Sequence, residues 1–153
     1  MEYEIIEKGP MQIVGISTRT TNENNQAQRD IYRLLERFHT SGVIQEIPNK
    51  KTADIICLYT DYESDFTAPY TYIAGFSALP TETLPKGLVS AHVPASRYAL
   101  FHLSGKYPDI LIQAWLWVWQ SELERTYTGD FEVYPKEFHP VSNPVFDLYV
   151  SIK

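Results

Sequence analysis

The stretch YPDILIQAWLWVWQSELER, residues 107–125, sets three tryptophans within five residues of a predicted helix. Pro108 suits the first helical turn, and Asp109 places negative charge at the positive end of the helix dipole. Two apolar faces adjoin at helical spacing, one with Leu111, Ala114, Trp115 and Val118, the other with Ile112, Leu116, Trp119 and Leu123. So wide an apolar arc needs a sheet on one side and a ligand, a partner subunit or a loop on the other. We therefore predict a helix that is part core and part pocket wall, with Trp115 on the core side and Trp119 at its margin; the alternative is that all three tryptophans are core.

Length and charge limit the classes of protein. The 153 residues fit one domain, and 13 Lys+Arg against 19 Asp+Glu give a net charge of -6, which argues against direct nucleic-acid binding. No apolar run approaches the roughly 20 residues of a membrane span, so we expect a soluble, cytoplasmic protein. The single cysteine, Cys57, lies in an apolar strand pattern and the four histidines are far apart. We therefore predict no metal site and no cofactor.

The remaining pattern repeats after a proline-containing connector at residues 79–87. The predicted strands are 3–7, 12–20, 54–62, 70–77, 88–93, 97–104, 131–134 and 145–152, and the first helix is 23–39, capped by Thr21 or Asn22 and stopped by Ser41-Gly42. Each half, about 1–80 and 81–153, contains strand, helix, strand, strand. IVGIST matches ALFHLS, ICLYTDY matches DFEVY, and YTYIAGF matches FDLYVSI. We predict an α+β fold of duplicated βαββ units with pseudo-twofold symmetry, in which helices cover one face of a curved antiparallel sheet and a ligand groove lies between the halves.

Side-chain alternation selects candidate site residues. In DFEVY, Phe131 and Val133 share one strand face and Glu132 and Tyr134 the other. We expect the apolar pair to face the helices and Glu132 and Tyr134 to face away, into water or into a covered groove. Tyr70 and Tyr72 share a face by the same rule; surface decoration is the alternative for either pair. A glutamate in an aromatic cleft favours a cationic ligand, helped by cation–π attraction.

The order and spacing of several segments resemble the GyrI-like effector-binding domains, particularly their integron-associated and stand-alone branch. The segments are TDYESDFTAPYTYIAGFSALP, RYALFHLSG, AWLWVWQSELER, DFEVY and FDLYVSI, which together extend over nearly the whole chain. The resemblance implies a duplicated βαββ fold with an aromatic groove, as in the effector domains of AraC-type and multidrug-responsive regulators. It further implies that Glu132 is the acidic residue that recognises cationic lipophilic compounds. Trp115, Trp119, Tyr70 and Tyr72 fall where that family has aromatic lining.

The resemblance leaves three functions open. The sequence has no helix-turn-helix pattern, so we expect a stand-alone module that binds a partly aromatic, cationic small molecule for sensing or sequestration. Other relatives hydrolyse small reactive electrophiles with a pocket glutamate and tyrosine, and in that case Glu132 would act as a general base. A third group inhibits gyrase, which would require a protein partner. We expect binding rather than turnover, and the sequence leaves the ligand and the oligomeric state open.

Overall fold

A computed structural model describes residues 1–153, the whole chain. The strands are β1 (Glu4–Lys8), β2 (Met11–Thr20), β3 (Ile55–Thr60), β4 (Tyr70–Ser77), β5 (Val89–Val93), β6 (Ser96–Ser104), β7 (Asp130–Tyr134) and β8 (Val145–Ile152). The helices are α1 (Gln26–Thr40), α2 (Val43–Glu46) and α3 (Asp109–Gln120), and a single 3-10 turn at Glu23–Asn25 precedes α1. None of these helices has both the length and the apolar character needed to cross a bilayer.

All eight strands form one antiparallel sheet in the order β1-β6-β8-β7-β3-β4-β2-β5. The order is symmetric about the central β3–β7 pair, because β2, β3 and β4 occupy the positions that β6, β7 and β8 occupy on the other side. The outer strands are exchanged: β1 pairs with β6 of the second half, and β5 pairs with β2 of the first. This arrangement confirms the predicted α+β fold with duplicated βαββ units.

The sheet is buried on both faces. On one face, Ala27, Leu34 and Phe38 of α1 and Ala114 and Val118 of α3 pack with the strands in a cluster of 24 buried residues. The opposite face holds a smaller cluster of seven buried residues with no helical member: Ile13, Ile56, Leu58, Ile73, Val93, Tyr98 and Phe131. Strands from both halves of the sheet contribute to this second cluster. The three helices, of which α2 contributes Val43, therefore lie on one side, as predicted.

The start of the first helix differs from the prediction. A 3-10 turn occupies Glu23–Asn25, where the Thr21 hydroxyl oxygen accepts from the Glu23 N–H at 3.3 Å, and α1 itself begins at Gln26 after Asn25, which has a left-handed backbone conformation. Asn22 instead donates its side-chain amide to the carbonyl oxygen of Phe66, 2.9 Å away. Ser41 does end α1, but the short helix α2, absent from the prediction, follows immediately. The Asn22 side chain, which the local sequence predicted to cap the helix, therefore forms a tertiary hydrogen bond.

The central helix is shorter than predicted. It ends at Gln120, and the hydroxyl of Ser121 donates to the carbonyl oxygen of Val118 at 2.7 Å. The following segment is extended, and Arg125, predicted to be the last helical residue, forms an isolated β-bridge with Ile152 of β8. Backbone hydrogen bonds to β8 therefore replace the last turns that the helical pattern predicted.

Candidate functional site

A cavity of about 1320 Å³ lies between α1, α3 and the middle of the sheet. Of its 33 lining residues 22 are hydrophobic, so a ligand that fills it is largely apolar. The sheet contributes Ile55, Cys57 and Tyr59 from β3, Tyr70, Tyr72 and Phe76 from β4, and Glu132 and Tyr134 from β7. The helices contribute Ile31, Tyr32 and Leu35 from α1 and Leu111, Ile112, Trp115, Leu116 and Trp119 from α3. The cavity therefore lies at the β3–β7 seam between the two halves.

The alternation predicted for β7 is correct, but the predicted direction is wrong. Phe131 belongs to the cluster on the helix-free face, and Val133 packs against it. Glu132 and Tyr134 therefore point toward the helices and line the cavity. The prediction failed because both faces of this sheet are covered, so the apolar pair did not have to face the helices. Glu132 is only 1% exposed.

Three neutral donors surround the Glu132 carboxylate. Tyr134 donates to Oε1 at 2.6 Å, while Tyr59 donates to Oε2 at 2.5 Å and the indole N–H of Trp115 donates to the same oxygen at 3.3 Å. The Tyr134 hydroxyl also lies 3.1 Å from the hydroxyl of Tyr107. Glu132 takes part in none of the salt bridges of the structure. It is therefore a buried, hydrogen-bonded carboxylate without a cationic partner.

The surroundings of Glu132 oppose its ionisation. Burial raises the pKa of its carboxyl group above the ordinary value of 4.5, and the hydrogen bonds from Tyr134, Tyr59 and Trp115 only partly offset that rise. Burial, reinforced by the charge of Glu132, also raises the pKa of Tyr59 and Tyr134, so these hydroxyls stay protonated as donors. A cation that enters the cavity would supply the opposite charge that the ionised carboxylate lacks.

Replacing Glu132 by glutamine should stabilise the ligand-free protein at neutral pH by about 1 kcal/mol. Because its pKa is raised on folding, the folded protein binds more protons than the unfolded chain just above pH 4.5. Stability is thus lost as pH rises from there through the folded pKa, and Glu132→Gln removes this loss. Urea unfolding of both proteins between about pH 4 and pH 8 measures how the difference in their free energies of unfolding changes with pH. A stability difference that does not change with pH would contradict the assignment.

Aromatic rings form most of the cavity wall near Glu132. The Tyr59 ring packs edge-on against Tyr72 at 5.1 Å and Trp115 at 4.9 Å between ring centroids, and against Tyr70 at 5.8 Å. Farther out, Trp119 stacks on Phe66 with centroids 5.3 Å apart and planes 6° from parallel. Such faces suit flat or aryl-bearing ligands and attract positive charge through their quadrupoles.

All six residues singled out from the sequence border this one cavity: Glu132, Tyr134, Trp115, Trp119, Tyr70 and Tyr72. Their roles in ligand binding remain a prediction. The division of the tryptophans differs from the one expected. Ala114 and Val118 are the buried residues of α3, whereas Trp115 is half-buried and contacts both the core and Glu132. Trp117 lies away from the cavity, where it packs against Phe101 at 5.7 Å and Tyr3 at 5.9 Å.

Sequence reasoning missed several cavity residues, of which Tyr59 and Arg125 are the most important. Tyr59 could have been found from alternation, because it lies two residues from Cys57, which pairs with Glu132 across β3 and β7. Arg125 carried no signal, because it was predicted to lie on the helix. Its Nη2 donates to Asp130 Oδ2 at 2.7 Å, and both side chains are almost fully buried. The site thus has two buried charged groups, Glu132 and the Arg125–Asp130 pair.

Asp130 is fully occupied by donors from its own chain. The backbone N–H and the hydroxyl of Ser151 donate to Oδ1 at 2.7 and 2.9 Å. The Tyr62 hydroxyl and Arg125 Nη2 donate to Oδ2, each at 2.7 Å. These contacts join β7 and β8 to the extended segment that follows α3. Asp130 therefore fixes Arg125 in the cavity wall.

Comparison with known proteins places the chain among small-molecule-binding proteins. A family model described as "Cass2: Integron-associated effector binding protein" matches residues 4–152. YobU of Bacillus subtilis (strain 168), which is named as a candidate transcriptional regulator, is 30% identical over 146 residues. That match covers 91% of this chain and 90% of YobU, so the likeness is not confined to one segment.

Two solved structures have closely similar folds. The integron cassette protein VCH_CASS2 of Vibrio cholerae superposes with a TM-score of 0.77 at 28% identity, covering 99% of this chain and 95% of that one. SAV2435, whose structure is bound to tetraphenylphosphonium, superposes with a TM-score of 0.80 at 20% identity, covering 100% and 94% of the two chains. At that lower identity the likeness to SAV2435 shows the fold alone.

Proposed function

Because the chain belongs to the integron-associated effector binding protein family, we propose that it binds aromatic, cationic lipophilic molecules in the cavity, with Glu132 as their charge partner. The observation that carries the proposal is a carboxylate 1% exposed, without a cationic neighbour, in a largely aromatic cavity of about 1320 Å³. The tetraphenylphosphonium bound by SAV2435, a protein of the same fold, belongs to the same chemical class.

The physical argument concerns the cost of the buried charge. An ionised carboxylate loses its hydration when buried, and three neutral donors replace only part of it. A lipophilic cation restores the missing charge interaction and gives up little hydration of its own, because its charge is spread over apolar groups. The rings of Tyr59 and Trp115 add cation–π attraction around the same point. Selectivity for cations over neutral compounds of similar shape follows from this one residue.

The biological role that fits such a site is sensing or sequestration of the bound compound. A ligand in the cavity contacts β3 and α1 from the first half of the chain and β7 and α3 from the second. Binding therefore rigidifies the molecule across its seam and gives a readout that another protein can detect.

Tetraphenylphosphonium should bind the wild-type protein. Glu132→Gln should weaken that binding at least about tenfold, because losing one interaction with a buried charged group costs about 1.5 kcal/mol or more. Isothermal titration calorimetry, with tryptophan fluorescence as a second readout, measures both affinities. The wild-type affinity should also fall as pH is lowered through the raised pKa of Glu132, because protonation removes the charge.

Two controls isolate the charge of Glu132. Glu36 lines the cavity but is exposed to solvent, so Glu36→Gln should change the affinity less than about twofold. Neutral triphenylmethane should bind wild type and Glu132→Gln equally. Equal binding of tetraphenylphosphonium by folded wild type and folded Glu132→Gln would contradict the proposed function.

A hydrolase is the second candidate, favoured by the same carboxylate. Its pKa is raised toward the range of a general base, and Tyr134 donates to it at 2.6 Å while also lying near Tyr107. Turnover of a small strained electrophile by wild type and not by Glu132→Gln is the result that separates this function from binding alone.

A further inference from the structure

Arg125 carries donors that its own chain does not use. Its side chain is 5% exposed and lines the cavity, yet neither Nε nor Nη1 has a hydrogen-bond partner. Only Nη2 is bonded, to Asp130. Because Asp130 already accepts from Tyr62 and Ser151 as well, it has no capacity left for the remaining N–H groups of Arg125. Buried donors without acceptors are costly and rare in proteins.

Aromatic rings hold this guanidinium group in place. Its central carbon lies 4.3 Å from the ring centroid of Tyr127, 5.7 Å from that of Trp115 and 6.0 Å from that of Tyr62. Rings are only weak acceptors for N–H groups, so they do not replace a carbonyl oxygen. Tyr127 has a left-handed backbone conformation with φ of 56°, which is unfavourable for a bulky side chain. Backbone strain of this kind is often found at ligand sites.

The charge balance determines which acceptor fits. The positive charge of Arg125 is already neutralised by Asp130, whose Oδ2 lies 2.7 Å from Nη2. A second anion would therefore give this buried group a net negative charge and would lose its own hydration. An uncharged acceptor, such as the oxygen of a ketone, ester or amide, can accept a hydrogen bond from a free N–H group without adding charge.

The two buried charged groups lie close together along β7. Asp130 and Glu132 lie two residues apart on the same face of β7, so their Cα atoms are roughly 6.6 Å apart. Trp115 contacts both groups, since its indole N–H donates to Glu132 and its ring lies beside Arg125. A ligand lying on Trp115 can therefore reach both.

We propose that the ligands of this cavity carry, besides a cationic or donor group for Glu132, an uncharged carbonyl-type oxygen that accepts a hydrogen bond from the free Nε–H of Arg125. The proposal rests on the proposed function and adds the second recognition element. The neighbouring groups cover Nε, so the oxygen can reach it only if part of the ring cage moves; its members Tyr62 and Tyr127 lie on connecting segments rather than in strands. The site then selects for carbonyl compounds within the broader class of aromatic cations.

Two matched probes test this proposal. Both are triphenylphosphonium cations with the same phenyl-terminated four-carbon chain, and they differ only at the carbon next to the phenyl ring, which is a ketone in one and a methylene in the other. The ketone should bind the wild-type protein about tenfold more tightly, because the charged donor gains a hydrogen bond with the ketone and none with the methylene probe. Calorimetry at one pH and salt concentration measures both affinities.

Arg125→Lys should abolish this preference, because lysine keeps the positive charge against Asp130 but has no donor at the position of the Arg125 Nε–H. The matched control Arg33→Lys, at an exposed position on α1 outside the cavity, should keep it. If Arg125→Lys does not fold, the double variant Arg125→Met/Asp130→Asn removes both charges together. In the wild type, the Nε–H resonance of Arg125 should shift with the ketone and not with the methylene probe.

The outcomes separate this proposal from the function on which it rests. Equal wild-type affinity for the two probes overturns the carbonyl proposal and leaves cation binding intact. A ketone preference that persists in Arg125→Lys or in the double variant also overturns it, because another residue must then bind the oxygen. Failure of both probes to bind contradicts the proposed function and this proposal together.

Discussion

Replacing Asp130 by alanine is expected to lower the free energy of unfolding by about 3–5 kcal/mol, because it leaves a buried charge without its partner. Arg125, 5% exposed, would keep its positive charge in a largely apolar setting. The backbone N–H of the fully buried Ser151 and the hydroxyl of Tyr62 would lose their acceptor as well. Urea denaturation followed by tryptophan fluorescence measures the loss.

A double-mutant cycle shows whether charge is the cause. Asp130→Asn and Arg125→Met each leave one unpaired buried charge, whereas the double variant leaves none. We therefore expect the double variant to be destabilised by clearly less than the sum of the two single changes. Strict additivity would mean that the pair stabilises the fold through shape alone.

The second large effect is expected at Gly15. It lies directly opposite Gly75 in the β2–β4 pair, on the face away from the helices. A Cβ atom at Gly15 would overlap the carbonyl oxygen of Ala74 and lie 2.6 Å from the Cα of Gly75. Backbone atoms in the middle of a sheet cannot move aside as a flexible side chain can, so Gly15→Ala should cost about 3 kcal/mol or more.

The control for this prediction is Gly9→Ala. A Cβ at Gly9 would have no neighbour within 4 Å, so that change should be nearly neutral. Thermal unfolding of the two variants beside wild type gives the comparison. A Gly15→Ala protein as stable as wild type would show that β2 and β4 can separate without loss of the packing around them.

The fold could be predicted because its signals are local and occur twice. Runs such as YTYIAGFS and VFDLYVSI give strands whose observed bounds, Tyr70–Ser77 and Val145–Ile152, equal the predicted ones. The end of α3 could not be predicted, since no glycine or proline lies between Gln120 and Arg125. There the chain leaves the helix because its backbone bonds to β8, with Thr126 N–H donating to the Ser151 carbonyl oxygen.

Only part of the candidate site could be predicted, because strand alternation is also a local signal. Strand alternation places Glu132 and Phe131 on opposite faces of the sheet, but it does not show which face meets the helices. On β7 both faces are buried, so apolar character could not decide the direction. The pairing of Arg125 with Asp130 depends on how the segment after α3 folds back, which no local pattern encodes.

The exchange of the outer strands determines the order in which this protein can be completed during synthesis. Glu4, near the start of the chain, pairs with Leu100, and the outer edge of β2 pairs with β5, which is synthesised more than 60 residues later. Contacts so distant in sequence form late and slow the folding of a sheet. The first half leaving the ribosome therefore has neither of its edges finished. The cavity, which needs β7 beside β3, does not exist until nearly all of the chain has been made, so a nascent or truncated chain cannot capture ligand before its sheet is closed.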